Sequence, residues 1–153
     1  MTRRQALSAD EEAAWTNLHL ISQCLPAVMN QQLRRDAGLG HYDYAVLLTL
    51  YRTSEHTAPL IDLSAITSGS YSRLSHTISR LEERGLVTRE RRGANRYASL
   101  TEEGRRTFIS AASAHVSEIR KRVLNHVPAD KIADLAELLH PIAEQLRAAT
   151  PRE

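Results

Sequence analysis

The stretch from Ser68 to Thr101 limits what this chain can fold into more than any other. Within SGSYSRLSHTISRLEERGLVTRERRGANRYASLT, Leu74, Ile78 and Leu81 recur at the spacing of one helix face. The opposite face carries Ser70, Ser72, Arg73, Ser75, His76, Ser79 and Arg80. Short hydroxyls interleaved with cations suit contact with a polyanion better than packing. Gly85 ends the helix, because glycine enters left-handed backbone easily at a helix C-terminus. Leu86 to Thr88 and Arg96 to Leu100 then favour strands, joined by a basic tip from Arg89 to Asn95. The segment therefore reads as a helix over about 70–84 followed by a hairpin with its basic wing at 89–96.

The charge is local. Between Ser70 and Arg96 seven arginines face three glutamates, a net of +4 in a chain whose total is +2, so the remainder carries −2. A confined positive patch is the electrostatic footprint of a nucleic-acid binder. At 153 residues, 42% of them apolar, the chain is long enough for one domain with a real core. One Phe and one Trp make that core aliphatic. The single cysteine, Cys24, excludes an internal disulfide framework and fits a reducing cytoplasm. No apolar run approaches the roughly 18 residues of a membrane span, and Met1 to Ala9 lacks the apolar region of a signal peptide. The expectation is a cytoplasmic protein.

In chain order, a first helix is expected from Asp10 to about Asp36. Asp10, Glu11 and Glu12 suit its positive end, and Trp15, Leu18, Ile21, Leu25, Val28 and Leu33 keep helical spacing. Pro26 removes one backbone hydrogen bond, which predicts a kink near Ser22 to Pro26. Gly38 and Gly40 mark its end. A second helix follows from about Tyr42 to Thr53, then a polar loop from Ser54 to Pro59. A short third helix over Leu60 to Thr67 buries Leu60, Leu63 and Ile66, and Thr67, Ser68 and Gly69 turn into the serine–arginine helix. Two helices joined in this way describe a helix-turn-helix. After Thr101, a helix N-cap, Ile109, Ala112, Val116, Ile119, Val123 and Val127 form one stripe up to Pro128. A last helix carries Ile132, Leu135, Leu138, Leu139, Ile142 and Leu146, bent at Pro141. These terminal stripes find no partner inside a winged domain of roughly 60 residues. The chain, 1–153, thus divides into helical dimerisation segments at 10–37 and 102–148 and a winged helix-turn-helix region at 41–101. The fold class is mainly α with a small β-hairpin wing. A dimer would present two such helices to two half-sites about one helical turn apart.

The segments GLGHYDYAVLLTL, SYSRLSHTISRLEERGLVTR and YASLTEEG occur in the order and at about the spacing found in the MarR family of winged helix-turn-helix regulators, and the chain resembles that family from Trp15 to Leu146. The family's recognition helix usually reads S-x-S-x-x-[ST]-R-x-x-x-R-L-E, which places its roles on Ser70, Ser72, Ser75, His76 and Arg80. His76 departs from the usual arginine and puts an imidazole where relatives carry a permanent cation. The wing departs further. RRGAN stands where relatives carry Asp-x-Arg or Asp-Arg-Arg, the hairpin is about three residues shorter, and no aspartate braces the tip. Arg92 and Arg96 are both candidates for the minor-groove arginine.

The expected function is a homodimeric transcriptional regulator, a repressor, that binds a pseudo-palindromic operator in double-stranded DNA. Ser70, Ser72, Arg73 and His76 lie near the helix start, where base edges are reached. Arg80, Arg89, Arg91, Arg92 and Arg96 join Ser75 in the DNA-binding set, their charges neutralising phosphates. Arg84, beside Glu82 and Glu83, reads as a surface ion pair. The resemblance also implies release by a small phenolic or anionic molecule in a crevice near His19, Gln23, His41, Tyr44, Tyr51 and His115. Read by residue type alone, Tyr44 and Tyr51 are core-edge aromatics and His19 an exposed helix residue. Cys24 reads as a small buried hydrophobe, with a redox sensor as the competing reading. A metal site shared by Cys24, His41 and His115 lacks any paired-histidine or CxxC support, so no metal or cofactor is expected. HExxH, GxSxG, phosphate-loop and dinucleotide motifs are all absent from the sequence, which argues against an enzyme. The alternatives are a metal- or redox-responsive regulator of the same fold and a winged-helix protein-interaction module.

Overall fold

The computed structural model of the protein describes residues 6–67 and 70–149. Six α-helices and three strands follow in the order α1 (Ala9–Ala37), α2 (His41–Arg52), β1 (Thr57–Pro59), α3 (Leu60–Ile66), α4 (Tyr71–Glu83), β2 (Val87–Arg92), β3 (Asn95–Leu100), α5 (Glu102–Arg122) and α6 (Ile132–Ala149). The fold is mainly α with a small antiparallel sheet, as the sequence implies. Ser68 and Gly69, two residues of the expected turn, lie outside the described residues, as do residues 1–5 and 150–153.

Each helix begins and ends where its sequence chemistry directs. Ser8 accepts the N–H of Glu11 at 3.2 Å while Glu11 accepts the N–H of Ser8 at 2.7 Å, a reciprocal cap over an acidic first turn. Gly38, at φ 63°, closes α1 in left-handed backbone. The helix runs continuously through Pro26. One core gathers Leu33, Leu39, Val46, Leu47, Leu50, Leu63, Leu74, Ile78 and Leu81 with Val87, Ala98 and Phe108. It is aliphatic apart from Phe108 and Tyr44, and Trp15 stands exposed on α1.

Several expectations need correction. Residues 57–59 are a strand within the expected polar loop: Thr57, Ala58 and Pro59 pair with Ser99, Ala98 and Tyr97, making a three-stranded sheet in the order β1-β3-β2. Three residues are too few to display alternation, and their partner lies about forty positions away. The seven-residue basic tip is paired strand almost throughout. Arg92 faces Asn95, and only Gly93 and Ala94 form the turn, with Gly93 at φ 63° in the first central position. Ile66 is exposed, not buried. The helix after Thr101 ends at Arg122, short of Pro128. Val123 leaves helical geometry at φ −126°, and Val127, held extended by the following proline, closes a single 3-10 turn. Its buried face is Gly104, Phe108, Ala111 and His115, so the expected stripe lies to one side, with Ile109 and Val116 exposed. Cys24 is exposed, on a stretch of α1 where Trp15, Leu20 and Ile21 are exposed as well.

Candidate nucleic-acid interface

The serine–arginine helix α4 is anchored by its apolar stripe. Leu74, Thr77, Ile78 and Leu81 are buried, whereas Ser72, Arg73 and His76 are exposed and Ser75 and Ser79 half-buried. Ser70 caps it by accepting the N–H of Arg73 at 3.2 Å. Its first two turns therefore present hydroxyls, a guanidinium and an imidazole outward.

Three arginines fasten the same helix to the corner between α1 and α2. The Arg73 guanidinium lies 4.2 Å from the ring centroid of Tyr42. Thr67 donates its hydroxyl proton to the Leu63 carbonyl at 2.6 Å, so the 2.9 Å contact between Tyr42 and Thr67 has the tyrosine as donor. Arg80 pairs with the buried carboxylate of Asp43, whose other oxygen accepts the N–H of Gly40 at 2.8 Å. Arg84 is not the surface ion pair expected from its neighbours. It donates to the carbonyls of Gly38 at 2.9 Å and Ala37 at 3.2 Å, capping the C-terminus of α1. Sequence adjacency to Glu82 and Glu83 was misleading because the side chain reaches across to a carbonyl cluster 46 residues away. Between these elements opens a cleft of about 800 Å³, where Arg34, Arg73, Arg80, Arg84, His41 and His76 face a single carboxylate, Asp43.

Strand parity sorts the wing. Val87, Arg89 and Arg91 share one face with Leu100, Ala98 and Arg96; Thr88, Glu90 and Arg92 share the other with Ser99, Tyr97 and Asn95. Arg89 is drawn back to α4, pairing with Glu82 at 2.5 Å and reaching Ser79 at 3.2 Å. Arg92 pairs with Glu90 and lies 4.8 Å from the Tyr97 ring centroid. Arg91 bonds the Gly93 carbonyl at 3.0 Å. Among the described residues no ion pair or hydrogen bond engages the Arg96 side chain.

The crevice residues separate into two groups. Tyr44 and Tyr51 both pack on Phe108, at 5.5 and 4.7 Å between centroids, and Tyr44 meets His115 at 4.8 Å. Phe108, the chain's only phenylalanine, was missed by sequence reasoning, although its uniqueness was the available signal. Burial, and then the nearby charge of His41, hold the His115 imidazole below its ordinary pKa. Its Nδ1 meets Gln32 Oε1 at 2.8 Å, and the Gln32 amide nitrogen donates to Asp36 at 2.9 Å, so Nδ1 of the neutral ring carries the proton. His19 and Gln23 are elsewhere: they bond each other at 3.0 Å on the exposed half of α1, where His19 stacks on Trp15. Among the described residues no group of three His, Cys, Asp or Glu side chains is placed to hold a metal ion, and no helix is long and apolar enough to cross a membrane.

An outward hydroxyl-and-guanidinium helix, set between a short helix and a basic hairpin, defines a winged helix-turn-helix of the DNA-binding regulator class. A family model described as the DUF6293 C-terminal winged helix domain matches residues 48–112. No curated protein matches the sequence. Among solved structures, AbsC, a MarR family transcriptional regulator from Streptomyces coelicolor, is 32% identical with a TM-score of 0.84, the match covering 96% of this chain and 99% of AbsC. A second MarR family regulator from that organism, solved in complex with DNA, is 30% identical with a TM-score of 0.83 and 95% coverage of both chains. CouR from Rhodococcus jostii, bound to p-coumaroyl-CoA, is 27% identical with a TM-score of 0.71, covering 91% of this chain and 95% of CouR. The chain belongs to the MarR family of transcriptional regulators.

Proposed function

We propose that this protein is a homodimeric repressor that binds a pseudo-palindromic operator, with α4 in the major groove and the wing in the minor groove, and leaves it when a small anionic or phenolic molecule binds. The observation that carries this reading is the exposed Ser72, Arg73 and His76 surface on a helix whose opposite face is locked into the core. Hydroxyls and an arginine at a helix start can address base edges. The relative solved with DNA supports the same use of the fold. Of the other arginines assigned to DNA, Arg80, Arg89 and Arg92 serve first to hold α4 and the wing in place, and Arg91 and Arg96 supply charge to the backbone.

The dimer is inferred from what one copy leaves uncovered. Helix α6 has no buried residue; Leu138, Leu139 and Ile142 are exposed along it, and so are Trp15, Leu20 and Ile21 on α1. Apolar faces of this extent on a small chain are normally covered by another surface. Segments 10–37 and 102–148 would build that interface and 41–101 the DNA-binding part. For the effector, the basic cleft beside α4 is open to solvent and suits an anion, whereas Phe108 and Tyr44 of the aromatic cluster belong to the buried core. CouR, bound to an acyl-CoA that carries both a phenol and phosphates, supports a small-molecule ligand.

The test is electrophoretic mobility of duplex DNA at low salt, followed by selection of preferred sites. Wild-type protein should bind both kinds of DNA, and Arg73→Ala should lose more affinity on selected sites than on random duplex. Absence of any low-salt binding to duplex DNA overturns the proposal.

A further inference from the structure

A second, smaller cleft of about 340 Å³ lies between the wing and the helix-turn-helix. Pro59 and the start of α3, at Leu60 and Ile61, form one side; Tyr71, the first residue of α4, and the wing residues Ala94, Asn95 and Arg96 complete it. No carboxylate lines it. Arg96 stands directly across the hairpin from Arg91, on the same sheet face. Like charges in that position oppose pairing. The acid of the hairpin, Glu90, points to the other face and is already engaged with Arg92. Arg91 turns its Nε to the Gly93 carbonyl, which leaves Arg96 as the hairpin arginine whose side chain has no hydrogen bond or ion pair among the described residues. Tyr71 is 47% exposed at the cleft wall.

An arginine without a counter-charge, crowded by a second arginine across the hairpin and sharing a cleft with an exposed tyrosine, calls for an anion from outside the protein. We infer that this cleft seats one phosphodiester of the DNA backbone, the one that passes between the groove occupied by α4 and the groove occupied by the wing, with Arg96 as the charged donor and the Tyr71 hydroxyl as the neutral one. This rests on the DNA-binding reading above and adds to it a residue, Tyr71, and a division of labour among the wing arginines. Arg96 acts on DNA directly; Arg92, paired with Glu90 and stacked on Tyr97, shapes the hairpin.

The experiment uses the full chain and random-sequence duplex DNA, with affinity measured over a range of salt for wild type, Arg96→Gln, Tyr71→Phe, Arg92→Gln and the Arg96→Gln/Tyr71→Phe double variant. Arg96→Gln should bind at least about tenfold more weakly at low salt, and its plot of log affinity against log salt should be shallower by about 1.8, the loss of one neutralised phosphate in each protomer of the dimer. Its melting temperature should stay level or rise, because a like-charge pair has been relieved. Tyr71→Phe should lose affinity with no change of slope, and the double variant should lose less than the two single effects multiplied, since both groups serve one phosphate. Unchanged affinity and slope in Arg96→Gln, or equal losses in Arg96→Gln and Arg92→Gln, would overturn the assignment while leaving DNA binding intact. Failure of the wild type itself to bind duplex DNA would instead remove the reading on which it rests.

Discussion

Replacing Gly104 by alanine should destabilise the protein even though alanine is the better helix former. A Cβ at this position would stand 1.9 Å from the Leu86 carbonyl oxygen and 2.9 Å from Leu100 Cδ1. The carbonyl belongs to the backbone and cannot swing aside, so the first turn of α5 must lift from the base of the wing by about 1.5 Å to restore ordinary contact. That movement strains a knot of three hydrogen bonds. Thr101 donates its N–H to Leu86 at 3.1 Å and its hydroxyl to Gly85 at 2.7 Å, and accepts the N–H of Gly104 at 2.9 Å. At about 1 kcal/mol each their loss costs about 3 kcal/mol. Overpacking adds about 1–2 kcal/mol, and alanine's helix propensity offsets about 1 kcal/mol. The expected net loss is about 3–4 kcal/mol, measured by guanidinium unfolding against wild type. Gly93→Ala is the control, because its added Cβ meets open space and bears only the strain of φ 63°, about 1 kcal/mol. Gly104→Ala as stable as wild type would refute the reasoning.

Arg84→Ala should lower stability by about 1–2 kcal/mol, since two α1 carbonyls lose their donor, whereas removing an ordinary surface ion pair would cost almost nothing; thermal unfolding separates the two. His115 is held neutral below its ordinary pKa, so the unfolded chain binds its proton first, and the stability it contributes is full above about pH 6.5 and declines as pH falls below that value. The melting temperature of wild type should therefore drop more between neutral and mildly acid pH than that of His115→Gln; equal drops would exclude His115 as the source. Leu139→Glu with Ile142→Glu should give a monomer by light scattering, with weakened binding to a two-half-site operator; an unchanged dimer would locate the interface elsewhere.

The helices of the reading head were legible because their signals are local. The Leu74, Ile78 and Leu81 spacing, the Ser70 and Thr101 caps and the glycine stops each act within a few residues. What escaped depends on distant partners. Strand β1 exists because β3 offers it an edge, Arg84 is defined by carbonyls at the end of α1, and Asp43 is buried because Arg80 and the Gly40 N–H receive it. The α5 stripe misled for a related reason: Ile109 and Val116 are apolar, yet the face turned to the core is set by Gly104, which admits the Leu86 carbonyl. In the wing, composition announced the charge but not its pairing. Arg89, Arg91 and Arg92 look alike in sequence and are given different partners by strand parity.

The hairpin that carries these arginines is closed to its last possible pair, with two residues left to turn. From the buried Val87 to Arg92 it extends about 17 Å at strand rise, nearly all of it in solvent. A finger already ordered along its length has little freedom left to lose when it meets a ligand. Its reach is correspondingly fixed. Any mismatch between that reach and the groove it enters must be absorbed by the duplex, so that how easily a sequence bends becomes part of how well it is bound.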